Sequence, residues 1–480
     1  MTKPLEIYEI IHRVGQFVPC WMPNNKRHHN RLYFHPRDLI ACIMVCRLWR
    51  TSLAPLLWLV YDERQMSIGW RIPTEVLRAH NSHFRYVLLS QFQPTFTLQA
   101  TCLRELCLQN EALSTQANMD LIGSNLRLTR LEASFQYEEY GRLRSVLESL
   151  SQLQCIKFEE LSLDKHDSLS SFLNNNPGLQ DIRLRDPLYI SGFKGCRPLV
   201  NLTRLELYDV DWEGNPGLLE LISLVPNLTA LNFVHRGDSS SIMTELCATL
   251  RENCPKLDWI RYRNANSRIG CALRAEHIIP WIQASPRLVH FDTLASTFTT
   301  SIYWTLICHA SWIDTLCLKF LKGVEENARN TSKILGHCTH LRSLNVIHAS
   351  TISKLSLEWF EEPWRTDNIE SLCLKGFTDP LKRVSGLKQP DHFDRMIERP
   401  SRPRIEAEEN IFKDLSQGWT PMTYDHERSR ITATAWAFRD MVFRRMRDAP
   451  RLYKLTVECF GYVNNSQAPV GCSFAGLESL

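Results

Sequence analysis

No stretch of the 480-residue chain is apolar for long enough to cross a bilayer. The longest uncharged apolar run, Leu39 to Cys46, falls far short of the roughly 20 residues a membrane helix needs. Nor does charge of one sign dominate. Lys and Arg number 56 against 52 Asp and Glu, and a net +4 is too mild by itself to point to nucleic acid or a membrane surface. Glycine is scarce, at 19 residues, and none is arranged as a phosphate-cradling loop or a nucleophile elbow. The 16 cysteines lack the dense spacing that staples small secreted domains. The opening Met1-Thr-Lys-Pro-Leu-Glu is not a signal peptide, so reduced thiols in a cytoplasmic and/or nuclear protein are expected. Cys20, His28, His29 and His35 match no standard zinc spacing. Cys42 and Cys46, one helical turn apart, read as core residues. With no catalytic constellation, the expectation is a protein that is not an enzyme and needs no cofactor.

What the chain has is a recurring frame, Leu-x-x-Leu-x-Leu, clearest at Leu202, Leu205 and Leu207. It returns with first positions at Leu103, Leu128, Leu153, Leu179, Leu228, Leu257, Leu288, Ile313, Leu341, Ile369 and Leu452. From Leu103 to Ile369 the copies lie 23 to 31 residues apart, the signature of a leucine-rich repeat. Alternate residues of a strand share a face, so the last two apolar positions point inward together. A proline turn often precedes the frame, as in Asn176-Pro-Gly-Leu179 and Val225-Pro-Asn-Leu228, where it stops the helix before it. Segments such as Leu218-Leu219-Ile222 and Met243-Leu246-Leu250 carry helical spacing. The predicted fold class is α/β, a leucine-rich-repeat solenoid shaped as a horseshoe, with a small all-helical module before it.

Residues 2–60 do not follow the repeat. Ile7, Ile10, Ile11 and Val14 predict a short amphipathic helix, and 16–36 reads as an inserted loop. A second helix is predicted from an N-cap at Asp38, carrying Leu39, Ile40, Ile43, Met44 and Leu48. Pro4-Leu-Glu-Ile7, then Asp38-Leu-Ile-Ala-Cys-Ile-Met-Val-Cys-Arg-Leu-Trp49-Arg, then Leu56-Leu-Trp58 resemble an F-box. The chain as a whole is similar to the F-box leucine-rich-repeat proteins of fungal type. That resemblance implies a module that docks on the adaptor subunit of a Skp–cullin–F-box (SCF) ubiquitin ligase, and through it on the cullin, while the repeats hold a substrate protein. It places Pro4, Leu5, Ile7, Ile10, Ile11, Leu39, Val45 and Trp49 toward the adaptor. Read from the residues alone, the same helices also suit a cap that shields the end of the solenoid.

Residues 61–102 read as a transition and first irregular repeat, with a helix start near Ile72 and a strand near Phe84. Repeats follow over 103–480, interrupted at about 380–425 by a polar, proline-bearing segment that reads as a long, partly disordered loop. A return helix is expected over 427–447, and Leu477 to Leu480 resembles the opening of another repeat.

The strand residues that alternate with the apolar ones point away from the core. They place Arg183, Arg185, Arg204, Tyr208, Trp259, Arg261, Arg263 and His290 on the concave face. Arginine beside an aromatic ring is a frequent interface anchor, and clustered arginine suits an acidic or phosphorylated segment of a partner. Asp181, Glu206 and Asp292 share that face, so arginines paired within it are the other reading. Interleaved acids and the small net charge make nucleic acid the weaker class of partner.

Overall fold

A computed structural model describes residues 7–18, 20–23, 32–90, 98–108, 116–134, 140–159, 170–185, 193, 195–211, 217–236, 240–264, 273–321, 325–348, 364–366, 368–378 and 454–460. The loop expected at about 380–425, the helix expected over 427–447 and the last residues of the chain lie outside these. The chain divides into two compact units, 1–228 and 229–480.

The first unit opens with α1 (Tyr8–Gly15), the strands β1 (Trp21–Pro23) and β2 (Leu32–Phe34), and helices α2 (Arg37–Ile43) and α3 (Arg47–Leu57). Ile11, Leu39, Ile43, Leu53 and Leu56 form the core of this module, with Leu48 and Trp49 packed against it. At Gly15 α1 comes close to α3, since a Cβ there would overlap Leu53. The segment expected as a loop closes its ends as an antiparallel hairpin, with Trp21 opposite Phe34 and their rings 5.0 Å apart. Both side chains are aromatic, and the cross-strand pair stabilises the strands. The second helix also differs from expectation. It begins at Arg37 with Asp38 in its first turn, breaks at Met44, and restarts as α3. Cys46 is therefore exposed in the break and is not a core residue, whereas Cys42 packs against the core.

Next come β3 (Val60–Asp62), a π-helical turn over Arg64–Gly69, α4 (Thr74–Ala79), β4 (Tyr86–Leu89) and β5 (Glu105–Leu108). They are followed by α5 (Gln116–Gly123), β6 (Arg130–Ser134), α6 (Tyr140–Ser149), β7 (Cys155–Glu159) and α7 (Ser170–Asn175). β8 (Asp181–Arg185), β9 (Arg204–Asp211) and α8 (Gly217–Ser223) complete the unit. β3 to β9 pair in sequence order, each parallel to the next. The strand-pairing thus begins at β3, ahead of the first full leucine frame.

The second unit contains β10 (Ala230–Arg236), α9 (Ser240–Asn253), β11 (Trp259–Asn264), α10 (Ala275–Ala284), β12 (His290–Ala295) and α11 (Thr300–Ile307). It continues with β13 (Thr315–Phe320), α12 (Glu325–His337), β14 (Ser343–His348), β15 (Ser371–Thr378) and β16 (Lys454–Phe460). β10 to β16 are again parallel and in sequence order. Parallel neighbours require a crossover, and α9, α10, α11 and α12 supply it between β10 and β14. Within each unit the architecture is an α/β leucine-rich-repeat solenoid.

The repeat frame explains the packing. Leu202, Leu205 and Leu207 are all fully buried, as are Leu257, Ile260 and Tyr262. Each buried leucine contributes about 1.5–3 kcal/mol relative to exposure. The proline turn closes by an i to i+3 hydrogen bond, in which Leu179 N donates to Asn176 O at 3.2 Å and Leu228 N to Val225 O at 3.1 Å. Proline fits the second position of such a turn because its φ is already set. The corner before each strand is buried and lined by Asn125, Asn176, Cys254, Ser285 and Cys338. Asn176 donates from Nδ2 to Leu150 O and Phe172 O and accepts from Leu153 N, joining one repeat to the previous one.

Candidate functional site

Two surfaces carry the residues that the sequence singled out. The first is the helical module. Ile11 and Leu39 are 1% and 0% exposed and lie in the core that holds its helices together. Their spacing on the apolar stripe is what puts them inside. Trp49 is also directed to the core, and Ile7 is half-buried at the start of α1. Pro4 and Leu5 lie outside the described residues. Ile10 and Val45 are exposed.

The exposed apolar set is wider than the sequence suggested. Ile10 and Val14 sit one turn apart on α1, Ile40 and Met44 one turn apart at α2, and Val45 follows. Met44 and Val45 are 66% and 64% exposed. A signal for this is legible in hindsight. The run Leu39-Ile-Ala-Cys-Ile-Met-Val carries more apolar residues than one buried helical stripe requires.

The second surface is the open face of the sheet, where alternate strand residues stand. In the first unit the cations on it are paired. Residues two apart on a strand share a face, and oppositely charged neighbours at that spacing meet. Arg183 Nη2 lies 2.6 Å from Asp181 Oδ2, and Arg130 Nε donates to Glu132 Oε1 at 2.9 Å. Arg204 is paired with Glu206, which also accepts from the Tyr208 hydroxyl at 2.8 Å. Lys157 reaches Glu159 at 3.0 Å, and Arg185 lies 3.9 Å from the same carboxylate. The hydrogen bond to Asp181 holds the Arg183 guanidinium well above its ordinary pKa. Burial alone would raise the Glu132 carboxyl, but the bond and charge of Arg130, with Lys157, hold it below its usual value. Arg183, Arg204 and Tyr208 are thus engaged within the face.

In the second unit β11, β12 and β13 align Trp259, His290 and Thr315 in one row and Arg261, Asp292 and Cys317 in the next. His290 stacks on Trp259, and the Arg261 guanidinium lies 5.5 Å from the centre of the Trp259 ring. Asp292 is covered by two arginines. It accepts from Arg261 Nε at 2.7 Å and from Arg263 Nη2 at 2.6 and 2.9 Å. Burial would raise the Asp292 carboxyl, yet Arg263, then Arg261 and Lys319, bring it below its ordinary range. Burial pushes the His290 imidazole down to about 4, so the ring is neutral near pH 7. Asp292 belongs to this group as the carboxylate that its arginines share, and Lys319 is near enough to act on it. Among the described residues there is no group of three or more His, Cys, Asp or Glu able to hold a metal ion. No helix among them is long and apolar enough to cross a membrane.

No family model matches the chain, and no curated protein matches it. Solved structures do. An internalin of Listeria monocytogenes is 13% identical, with a TM-score of 0.31 over 63% of this chain and 83% of its own. A leucine-rich-repeat protein of Leptospira interrogans is 12% identical, with a TM-score of 0.29 over 64% of this chain and 76% of its own.

Proposed function

We propose that the chain is a non-catalytic substrate-recognition subunit of an SCF-type ubiquitin ligase, acting in the cytoplasm or nucleus. The helical module docks on the adaptor, and through it on the cullin. The repeats hold a substrate protein, so that the ligase's separate catalytic components reach its lysines. The observation that carries this reading is the exposed apolar set Ile10, Val14, Ile40, Met44 and Val45 on a module whose own core is already closed. A helical module of this size has little core of its own, and a partner helix laid on these residues would bury the rest.

A cap that only shields the first repeats is the second reading. It is favoured by Phe34, whose ring meets Trp70 at 5.8 Å and whose amide donates to Gln65 Oε1 at 2.5 Å. Affinity capture of the full chain from fungal cells separates the two. Recovery of adaptor and cullin with the wild type, lost on Met44→Asp/Val45→Asp, supports docking. Failure of a folded wild-type chain to recover either would leave the scaffold and its cap.

A further inference from the structure

We infer that the open face of the second unit, around Arg261, Arg263 and Lys319, binds an extended acidic peptide segment of a partner protein through its side-chain carboxylates. This rests on the reading of the repeats as a protein-binding surface and names what that surface selects.

On β6 to β9 of the first unit every cation of the open face has a carboxylate within 4 Å. On β10 to β14 of the second unit, Asp292 is the one carboxylate among the described open-face residues. Around it stand Arg261, Arg263 and Lys319, so three cations meet one anion and leave a net +2. Asp314, in the turn before β13, is already engaged with Arg342 at 3.1 Å. The Asp292 side chain is only 3% exposed. An approaching partner therefore meets the two guanidiniums and not the carboxylate beneath them.

The arginines are also held for this. Arg261 uses Nε on Asp292 and rests against Trp259, which leaves its terminal nitrogens uncommitted by that bond. Arg263 uses Nη2, which leaves its other terminal nitrogen uncommitted by those bonds. A guanidinium fixed in place loses less freedom on binding, and its fork suits a carboxylate.

Spacing decides the kind of anion. Arg263 stands on β11 and Lys319 on β13, two strands away, which is about 10 Å at the usual strand separation. Two carboxylates two residues apart on an extended segment face the same way about 7 Å apart, and the long side chains of Arg263 and Lys319 can each take one. The stacked pair Trp259 and His290, both half-buried, gives the cations an apolar neighbour against which an aliphatic stem can rest.

The test uses the full chain and a fluorescein-labelled twelve-residue peptide of alternating Glu and Ser. Its comparisons are the Gln counterpart and a counterpart with one phosphoserine among Gln. Fluorescence anisotropy should show binding of the Glu peptide that weakens with salt and is absent for the Gln peptide. Lys319→Glu, which removes no bond to Asp292, should weaken it by about tenfold or more, with thermal unfolding unchanged. Arg185→Glu on the first unit should leave it as it was. Equal binding of Glu and Gln peptides, indifference to Lys319→Glu, or a preference for the phosphoserine peptide would overturn the inference. Adaptor binding is measured on the same preparation. Adaptor bound without peptide would dismiss the inference alone, and peptide bound without adaptor would dismiss the ligase reading alone.

Discussion

The ring of His290 lies flat on that of Trp259, with centroids 4.7 Å apart and planes 13° apart. That stack keeps the imidazole out of water, and its Nε2 has no hydrogen-bond partner among the described residues. Charging it in place is unfavourable. Burial dominates, Arg261 opposes the proton further, and the carboxylates Asp292 and Asp314 offset only part.

A pH dependence of stability follows from that stack. The folded ring titrates near 4 and the unfolded one near 6.5, so below pH 6.5 the unfolded chain binds the additional proton. The contribution is therefore present above pH 6.5 and is lost as pH falls toward 4, up to about 3 kcal/mol in total. Denaturant unfolding at several pH values between 7.5 and 4.5 should show His290→Phe, which keeps a ring on Trp259, with a flatter profile than the wild type. Parallel profiles would mean that the imidazole charges freely.

Gly15 sets how closely α1 approaches α3. A methyl group there would overlap Leu53 and stand 2.7 Å from Leu56 Cδ1, and both leucines belong to the module core. Gly15→Ala should cost about 1–3 kcal/mol by overpacking, although alanine is the better helix former. Thermal unfolding combined with hydrogen exchange should localise the loss to α1 and α3. A variant as stable as the wild type would show that the helices can shift apart without cost.

Asn176 makes three hydrogen bonds inside a buried corner, two of them to the preceding repeat. Asn176→Ala leaves two carbonyls and one amide without their partner, and should lower stability by about 2–4 kcal/mol. Asn125, bonded in the same way to Leu103 N, Ala100 O and Leu121 O, should behave alike. A loss below about 1 kcal/mol in denaturant titration would mean that water takes over the bonds.

Much of the repeat was legible because strand alternation and the incoming leucine are both local. Leu103, Leu179 and Leu288 go where the frame puts them. β3 was not legible, since Val60-Tyr-Asp62 has no leucine frame behind it and joins the sheet through pairing with β4. The break at Met44 was hidden by an apolar run that continues across it to Cys46. Ile11 and Leu39 show a different limit. Their apolar character is evident in the sequence, but whether a helix turns such a residue toward its own module or a partner depends on packing. On the open face, opposite charges two residues apart, as in Asp181 and Arg183, announce an internal pair. The excess of cations around Asp292 emerges only when three strands are placed side by side.

Met44, Val45 and their exposed apolar neighbours are the face on which the proposed docking to the SCF adaptor depends. Isothermal titration of the purified full chain with purified adaptor tests it most directly, with Met44→Asp/Val45→Asp alongside and circular dichroism to verify that both are folded. Micromolar or tighter binding by the wild type, weakened about 100-fold or more in the variant, a loss of about 2.7 kcal/mol, is the result expected. Equal affinity of the two proteins, or no binding by a folded wild-type chain, would contradict it.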